Sequence, residues 1–315
     1  MFIKQLFTSL CMLMATTTIA QQLSLKEQEE ILANTKKVFA QHYHFKNQIK
    51  PTINYLDQQW RTGMYDSLTT LTAFTLALSK DLQHFTHDKH LNFFHQPAQV
   101  AKDTAPAPSI PWGLLNENFL NNGMTALQVL PGDVGYMRLQ AMGWFEETMP
   151  AAFTYLQHTR ALIIDLRGNG GGMLTNLISS YLLPEDSIHL ITISWNQRVD
   201  SIFTVRKLNG PRYLDKPVYL LTDKGTFSSA EEFAYDLQNL KRATIVGATT
   251  GGGANPGGTL PVYTFTDGSR LDLFISMARV ESPITKTNWE GTGVRPDVES
   301  LPEAALQKAH MLALE

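Results

Sequence analysis

Two adjacent serines, Ser228 and Ser229, follow the apolar run VYLLT and a glycine-containing turn in DKGTFSSAEEFAYDL, residues 223–237. A hydroxyl at a strand-to-helix turn can be exposed beside unpaired backbone N–H groups, the layout of a nucleophile and its oxyanion site. The same residues suit a purely structural role, because serine is a preferred N-cap and Ser228 with Glu231 has the spacing of a capping box. A serine nucleophile also needs a base and a third group that holds the base's tautomer. Histidines cluster at His84, His87, His90 and His95. Each could be structural, and His87 with His90 could share a helix face toward a metal, but no cysteine or carboxylate completes a recognised ligand spacing. Glu290, just before Gly291, either closes a turn ahead of Pro296 or is the third group that steadies the base. His42 and His44 read as surface residues.

Two glycine-rich loops accompany these residues. ALIIDLRGNGGGM leaves a strand and enters a helix, yet it fails the dinucleotide fingerprint: Gly168 and Gly170 are present, but the third position is Met173. Its Gly170, Gly171 and Gly172 either make a tight turn or, lacking side chains, let backbone N–H groups face an anion or a carbonyl oxygen. Arg167 is either a surface charge or a pin for this loop. The second loop, TTGGGANPGG, either lines a cleft or lies free on the surface.

The elements that must position these groups follow from the hydrophobic pattern. Residues 1–20 have a lysine, a short apolar stretch and small residues up to Ala20, which predicts a secretory signal peptide and an exported protein, periplasmic or extracellular. The apolar run is too short to cross a bilayer. Cys11, the single cysteine, lies in that segment, so the mature chain is expected to have no disulfide, cysteine nucleophile or zinc–cysteine site. A net charge of -3 and the lack of a cationic block argue against nucleic acid as a partner. Helical spacing in LSLKEQEEILANTKKVFAQHY, with Ser24 as cap, and from Ser67 to Phe85 predicts a small helical N-terminal domain over 21–95. KDTAPAPSIPWG marks a linker over 96–124, and strands alternating with helices over 125–315 predict an α/β core with a largely parallel sheet. LPVYTFTDGSRLDLFISM reads as a hairpin turning at Asp267 and Gly268, and PEAALQKAHMLAL as a closing helix.

Four ordered stretches, LIIDLRGNGGG, KGTFSSAEEFAYDL, ATIVGATTGGGANPGG and TNWEGTGVRPDV, resemble the signature segments of the C-terminal processing (tail-specific) serine peptidase family. Within it the chain is most similar to the branch of the tricorn protease core and the interphotoreceptor retinoid-binding modules, which SKDLQHFTHDKHLNF also resembles. The resemblance implies a clp/crotonase-like ββα spiral core behind the helical domain, with no PDZ domain in residues 96–124. It implies Ser228 as nucleophile, with Ser229 next to it. The processing type's lysine base aligns with Gly253, whereas the tricorn-like branch implies His90 as base and Glu290 as its orienter, with Lys89 where that branch has a serine. By the same resemblance the N–H groups of Gly171 and Ser229 hold the oxyanion. The expected activity is hydrolysis of peptides or unfolded and C-terminal segments through an acyl-enzyme, with no cofactor or metal. The alternative is a weak or inactive binding module for apolar, retinoid-like or fatty ligands, or for peptides, as in the retinoid-binding relatives.

Overall fold

The computed structural model describes residues 21–98, 120–143, 146–173, 175–184 and 187–315. The expected signal peptide and most of the expected linker lie outside the described residues. The first helix, α1 (Leu25–His42), begins where the sequence places it: Ser24 and Glu27 close a capping box, and Ile31, Leu32, Thr35 and Phe39 form its buried stripe. Next comes α2 (Lys46–Arg61), which the sequence reading did not anticipate because Pro51 sits inside it. Proline removes one intrahelical hydrogen bond, and burial of Thr52 and Leu56 outweighs that loss. Helix α3 (Leu71–Thr86) starts four residues after Ser67, since the hydroxyl that accepts from Ala73 N–H belongs to Thr70.

The chain then forms β1 (Phe93–Gln96), β2 (Met124–Leu130), β3 (Val134–Leu139), α4 (Thr148–Leu156), β4 (Ala161–Asp165), α5 (Asn176–Leu182), β5 (His189–Trp195), β6 (Val199–Phe203), β7 (Val218–Thr222), α6 (Ser229–Asn239) and β8 (Thr244–Gly247). It closes with β9 (Gly257–Thr264), β10 (Arg270–Ser276), β11 (Ala278–Glu281), β12 (Val298–Glu299) and α7 (Ala305–Leu314). The central sheet has the order β12-β8-β7-β4-β3-β2; every neighbouring pair is parallel except β2 with β3. All of β4 is buried. Its alternation sends Leu162 and Ile164 into the larger core with α4, α5 and α6, and Ala161 and Ile163 into the layer under Ala305, Ala309 and Ala313 of α7. Each buried leucine or isoleucine among them contributes about 1.5–3 kcal/mol over its exposed state.

The mixed α/β class with N-terminal helices is as expected. The helices do not close on themselves alone: Phe39, Leu56, Phe74 and Leu82 share one apolar cluster with Val262, Leu271, Leu273 and Ile275 of the β9–β10 hairpin. Antiparallel pairing of β1 with β10 ties the end of α3 to that hairpin. This arrangement carries residues 87–92 to the glycine loops of the core.

Candidate active site

The turn after β7 is clamped by Asp223, whose Oδ1 accepts the N–H groups of Gly225, Thr226 and Gly168. Thr226 Oγ1 donates to Leu166 O and Phe227 N–H to Asn169 O, so this turn is bound to the loop that follows β4. Between them the chain reaches Ser228 at φ 57° and ψ -127°, at the mouth of α6. A non-glycine residue in such a region is strained by about 1–3 kcal/mol, and strain of this kind concentrates at functional sites. Glu231 helps to hold it. This fully buried carboxylate accepts from Ser228 N–H and Gly253 N–H through Oε2, and from Thr250 Oγ1 and Gly252 N–H through Oε1. Burial pushes its pKa up, and these four donors oppose that push.

Against Ser228 lies His90, with Nε2 at 3.1 Å from Oγ. The ring is buried between Phe227, centroid to centroid 4.7 Å, and Phe274, at 5.3 Å and nearly parallel. Its backbone is fixed by the end of α3: His87 caps the helix in the left-handed region, Asp88 N–H donates to Thr86 Oγ1, and His90 N–H donates to Asp88 Oδ1 at 3.0 Å. Asp88 is buried, and its Oδ1 lies 3.7 Å from His90 Nδ1. In sequence the signal for Asp88, which the serine and histidine motifs do not single out, is its place two residues before His90 in THDKHL. Lys89 points elsewhere and donates from Nζ to Gly251 O.

Glu290 follows Trp289, which is buried and donates its indole N–H to Gly253 O. Glu290 Oε2 accepts from Ala254 N–H at 2.7 Å and Asn255 N–H at 3.2 Å. Its other oxygen is buried without a partner among the described residues, and no hydrogen bond joins it to His90. Burial, and then the negative charge of Asp88, push its pKa up to about 7, against the pull of the two loop N–H groups and of His90. The sequence-predicted serine and histidine therefore meet directly, while the glutamate stands beside the histidine and binds the second glycine loop. That loop is a wall of the site: residues 251–255 are buried. At Gly253 a Cβ would overlap the Phe227 ring and come within 2.9 Å of His90 Cε1. Here the imidazole occupies the space beside Gly253.

The first glycine loop packs on the serine. A Cβ on Gly171, at φ +95°, would lie 2.7 Å from Ser228 Cβ and 3.1 Å from Ser229 N. Gly171 N–H donates to Asn169 Oδ1 at 2.9 Å, whereas Ser229 N–H meets no acceptor among the described residues. Gly172, at φ +144°, abuts the backbone of Met142, and a Cβ on Gly170 would face open space. Arg167 is a pin: it pairs with Asp165 through Nε at 2.8 Å and donates to Pro302 O. Against the upward push of burial, Arg167 holds the Asp165 carboxyl below its ordinary value. His44, expected on the surface, is half-buried; its N–H donates to Ser276 O, and burial lowers its pKa. Among the described residues there is no group of three His, Cys, Asp or Glu able to hold a metal, and no helix is long and apolar enough to cross a membrane.

Residues 133–300 match Peptidase family S41, and residues 15–121 match the N-terminal domain of Peptidase_S41 in eukaryotic IRBP. The carboxyl-terminal-processing protease of Synechocystis sp. is 33% identical over 173 residues, covering 53% of this chain and 38% of that protein. The chloroplastic C-terminal processing peptidase of Tetradesmus obliquus is 30% identical over 177 residues, 54% of this chain and 36% of the relative. The chain thus aligns with less than two-fifths of the length of either relative. In fold it is similar to a putative peptidase from Parabacteroides merdae, with TM-score 0.60 and 18% identity over 91% of this chain and 97% of the other. The photosystem II D1 C-terminal processing protease gives TM-score 0.52 and 17% identity over 93% and 98%. With the serine at a strained helix mouth, a histidine against it and the family match spanning both glycine loops, the chain belongs to peptidase family S41.

Proposed function

We propose that the protein is a serine-type peptidase that cleaves peptides or unfolded and C-terminal segments through an acyl-enzyme on Ser228. The observation that carries this reading is the 3.1 Å approach of His90 Nε2 to Ser228 Oγ. His90 takes the hydroxyl proton as Oγ attacks the scissile carbonyl carbon, then gives it to the leaving amine as the C–N bond breaks. Water, activated by the same ring, releases the acyl group. Ser229 N–H is available to the developing oxyanion. Gly171 N–H joins it once released from Asn169, with Gly170 adding no side chain to the open space there and Gly172 letting the loop close on Met142; loss of one such donor costs about 2.7–4 kcal/mol in barrier. Glu290 braces the loop over 253–255 and places acidic character beside the imidazolium. Residues 1–20, read as a signal peptide, direct the enzyme out of the cytoplasm.

The test is cleavage of denatured casein by the purified protein. The wild type should cleave it, with loss of activity in Ser228→Ala and at least a hundredfold lower turnover in His90→Ala. Equal cleavage by wild type and Ser228→Ala would remove the proposed nucleophile. Absence of cleavage by either, with saturable uptake of a fluorescent fatty ligand, would point to a carrier.

A further inference from the structure

A catalytic imidazole needs its distal nitrogen held as well as its reactive one, because the proton on Nδ1 decides which tautomer faces the serine. Three polar atoms among the interacting residues His90, Asp88 and Glu290 are buried without a hydrogen-bond partner among the described residues: His90 Nδ1, Asp88 Oδ2 and Glu290 Oε1. Unsatisfied buried polar atoms are uncommon in folded proteins, and each calls for an explanation. Here two of the three are carboxylate oxygens and the third is the distal imidazole nitrogen.

The two carboxylates are not equivalent. Glu290 already commits Oε2 to the N–H groups of Ala254 and Asn255. Asp88 is fixed relative to the ring itself, since its Oδ1 accepts the N–H of His90 and stands 3.7 Å from Nδ1. Its side chain is 2% exposed and that of His90 8%, so their attraction is little screened by solvent. Thr86, which donates from Oγ1 to Leu82 O and accepts Asp88 N–H, anchors this turn to the last turn of α3. A gap of 3.7 Å exceeds a hydrogen bond, but catalytic hydrogen bonds often tighten only in the substrate complex.

We propose that Asp88 is the positioning residue for His90: it keeps the proton on Nδ1, leaves Nε2 free to accept from Ser228, and faces the imidazolium while the proton is in transit. This inference rests on the serine peptidase reading above. The serine proton moves only to Nε2 and from there to the leaving amine, and Asp88 takes none. Glu290 then acts from the loop side. Burial, and then the Asp88 charge, push its pKa up to about 7. Tyr43 also faces this cluster, and burial, reinforced by the charge of Asp88, raises its pKa.

The test compares wild type, Ser228→Ala, Asp88→Asn and Asp88→Glu in the full chain, reading kcat, KM and the pH dependence of kcat/KM on an unfolded fluorogenic casein. Asp88→Asn keeps an acceptor for His90 N–H but loses the charge. It should lower kcat about a hundredfold or more with KM nearly unchanged. It should also shift the acid limb of kcat/KM to lower pH, because removing a nearby anion lowers an imidazole pKa. Asp88→Glu should recover part of the loss. A purely structural aspartate would not move the acid limb. Wild-type kcat and an unmoved acid limb in Asp88→Asn, with Ser228→Ala inactive, would overturn the role of Asp88 alone; an active Ser228→Ala would overturn the parent reading with it. If Asp88→Asn does not fold, Asp88→Ser replaces it with the same expected results. Nitrogen-15 NMR titration of His90 in Ser228→Ala should then show a lower ring pKa once Asp88 is also replaced by serine, and an unchanged value would count against the proposal.

Discussion

His90 Nε2 and Ser228 Oγ stand 3.1 Å apart across 138 positions of sequence. The contact depends on a chain of local structure: the left-handed cap at His87, the pairing of β1 with β10, and the strained turn that presents Ser228. Each link can be broken separately.

Gly253 is where the base could be exchanged, and the structure opposes the exchange. A Cβ there would overlap Phe227 and press to within 2.9 Å of His90 Cε1. Gly253→Lys in the His90→Ala background should therefore fail to restore turnover by supplying a lysine. Gly253→Ala alone should lower kcat about tenfold or more, the scale on which small misplacements act. Steady-state kinetics with a parallel melting curve separates displacement of the ring from unfolding; wild-type kcat in Gly253→Ala would show that the ring has room.

Lys89 offers a direct contrast with its neighbour. Its ammonium donates to Gly251 O, so Lys89→Ala should loosen the second glycine loop without removing the base. A loss of less than about tenfold is expected, against a hundredfold or more for His90→Ala. The reverse order, severe for Lys89→Ala and mild for His90→Ala, would replace the histidine with a serine–lysine arrangement.

Glu231 joins the nucleophile's own backbone to the loop that flanks His90. Glu231→Gln puts an NH2 group among four donors and leaves at least one of them without an acceptor. Destabilisation of about 1–3 kcal/mol should follow, together with lower kcat as Ser228 relaxes. Chemical denaturation and kinetics on the same sample measure both. Unchanged stability would mean that the loop finds other acceptors.

Glu232 and Asp236 lie one turn apart on α6, both buried; Thr175 donates to Glu232, while neither oxygen of Asp236 has a partner among the described residues. Burial raises both pKa values, and the charge of Glu232 raises that of Asp236 further. A carboxyl with a raised folded-state pKa binds its proton more tightly than the unfolded chain does. Its stabilising contribution is complete below the unfolded pKa and is lost as pH climbs through the folded value. The melting temperature should fall from about pH 5 to about pH 8, and Asp236→Asn should reduce that fall. Equal falls in both proteins would exclude this pair as its source.

Much of the framework was readable from residues alone. The continuous apolar run of β4 predicted a strand buried on both faces, and Ser24 as cap predicted where α1 begins. Helix α2 was hidden by Pro51, whose cost is local while the compensating burial of Leu56 is tertiary. At the site, Ser228 and His90 were legible because each stands in a family-like motif. Asp88, two residues before His90, was the weaker signal, because a buried aspartate in a helix-capping turn and one facing an imidazole look alike in sequence. Glu231 read only as a capping residue, since its partners at Thr250, Gly252 and Gly253 arrive from another loop. The orientation of Gly171 N–H toward Asn169 likewise follows from φ/ψ values that a glycine run leaves open.

The central claim is that His90 activates Ser228. Its most direct measurement is the rate at which a fluorophosphonate labels the protein, with the modified residue located by mass spectrometry. The account predicts a single adduct on Ser228, formed at least a hundredfold more slowly in His90→Ala and absent in Ser228→Ala. Labelling of Ser228 at the wild-type rate in His90→Ala, or labelling confined to another residue, would contradict it.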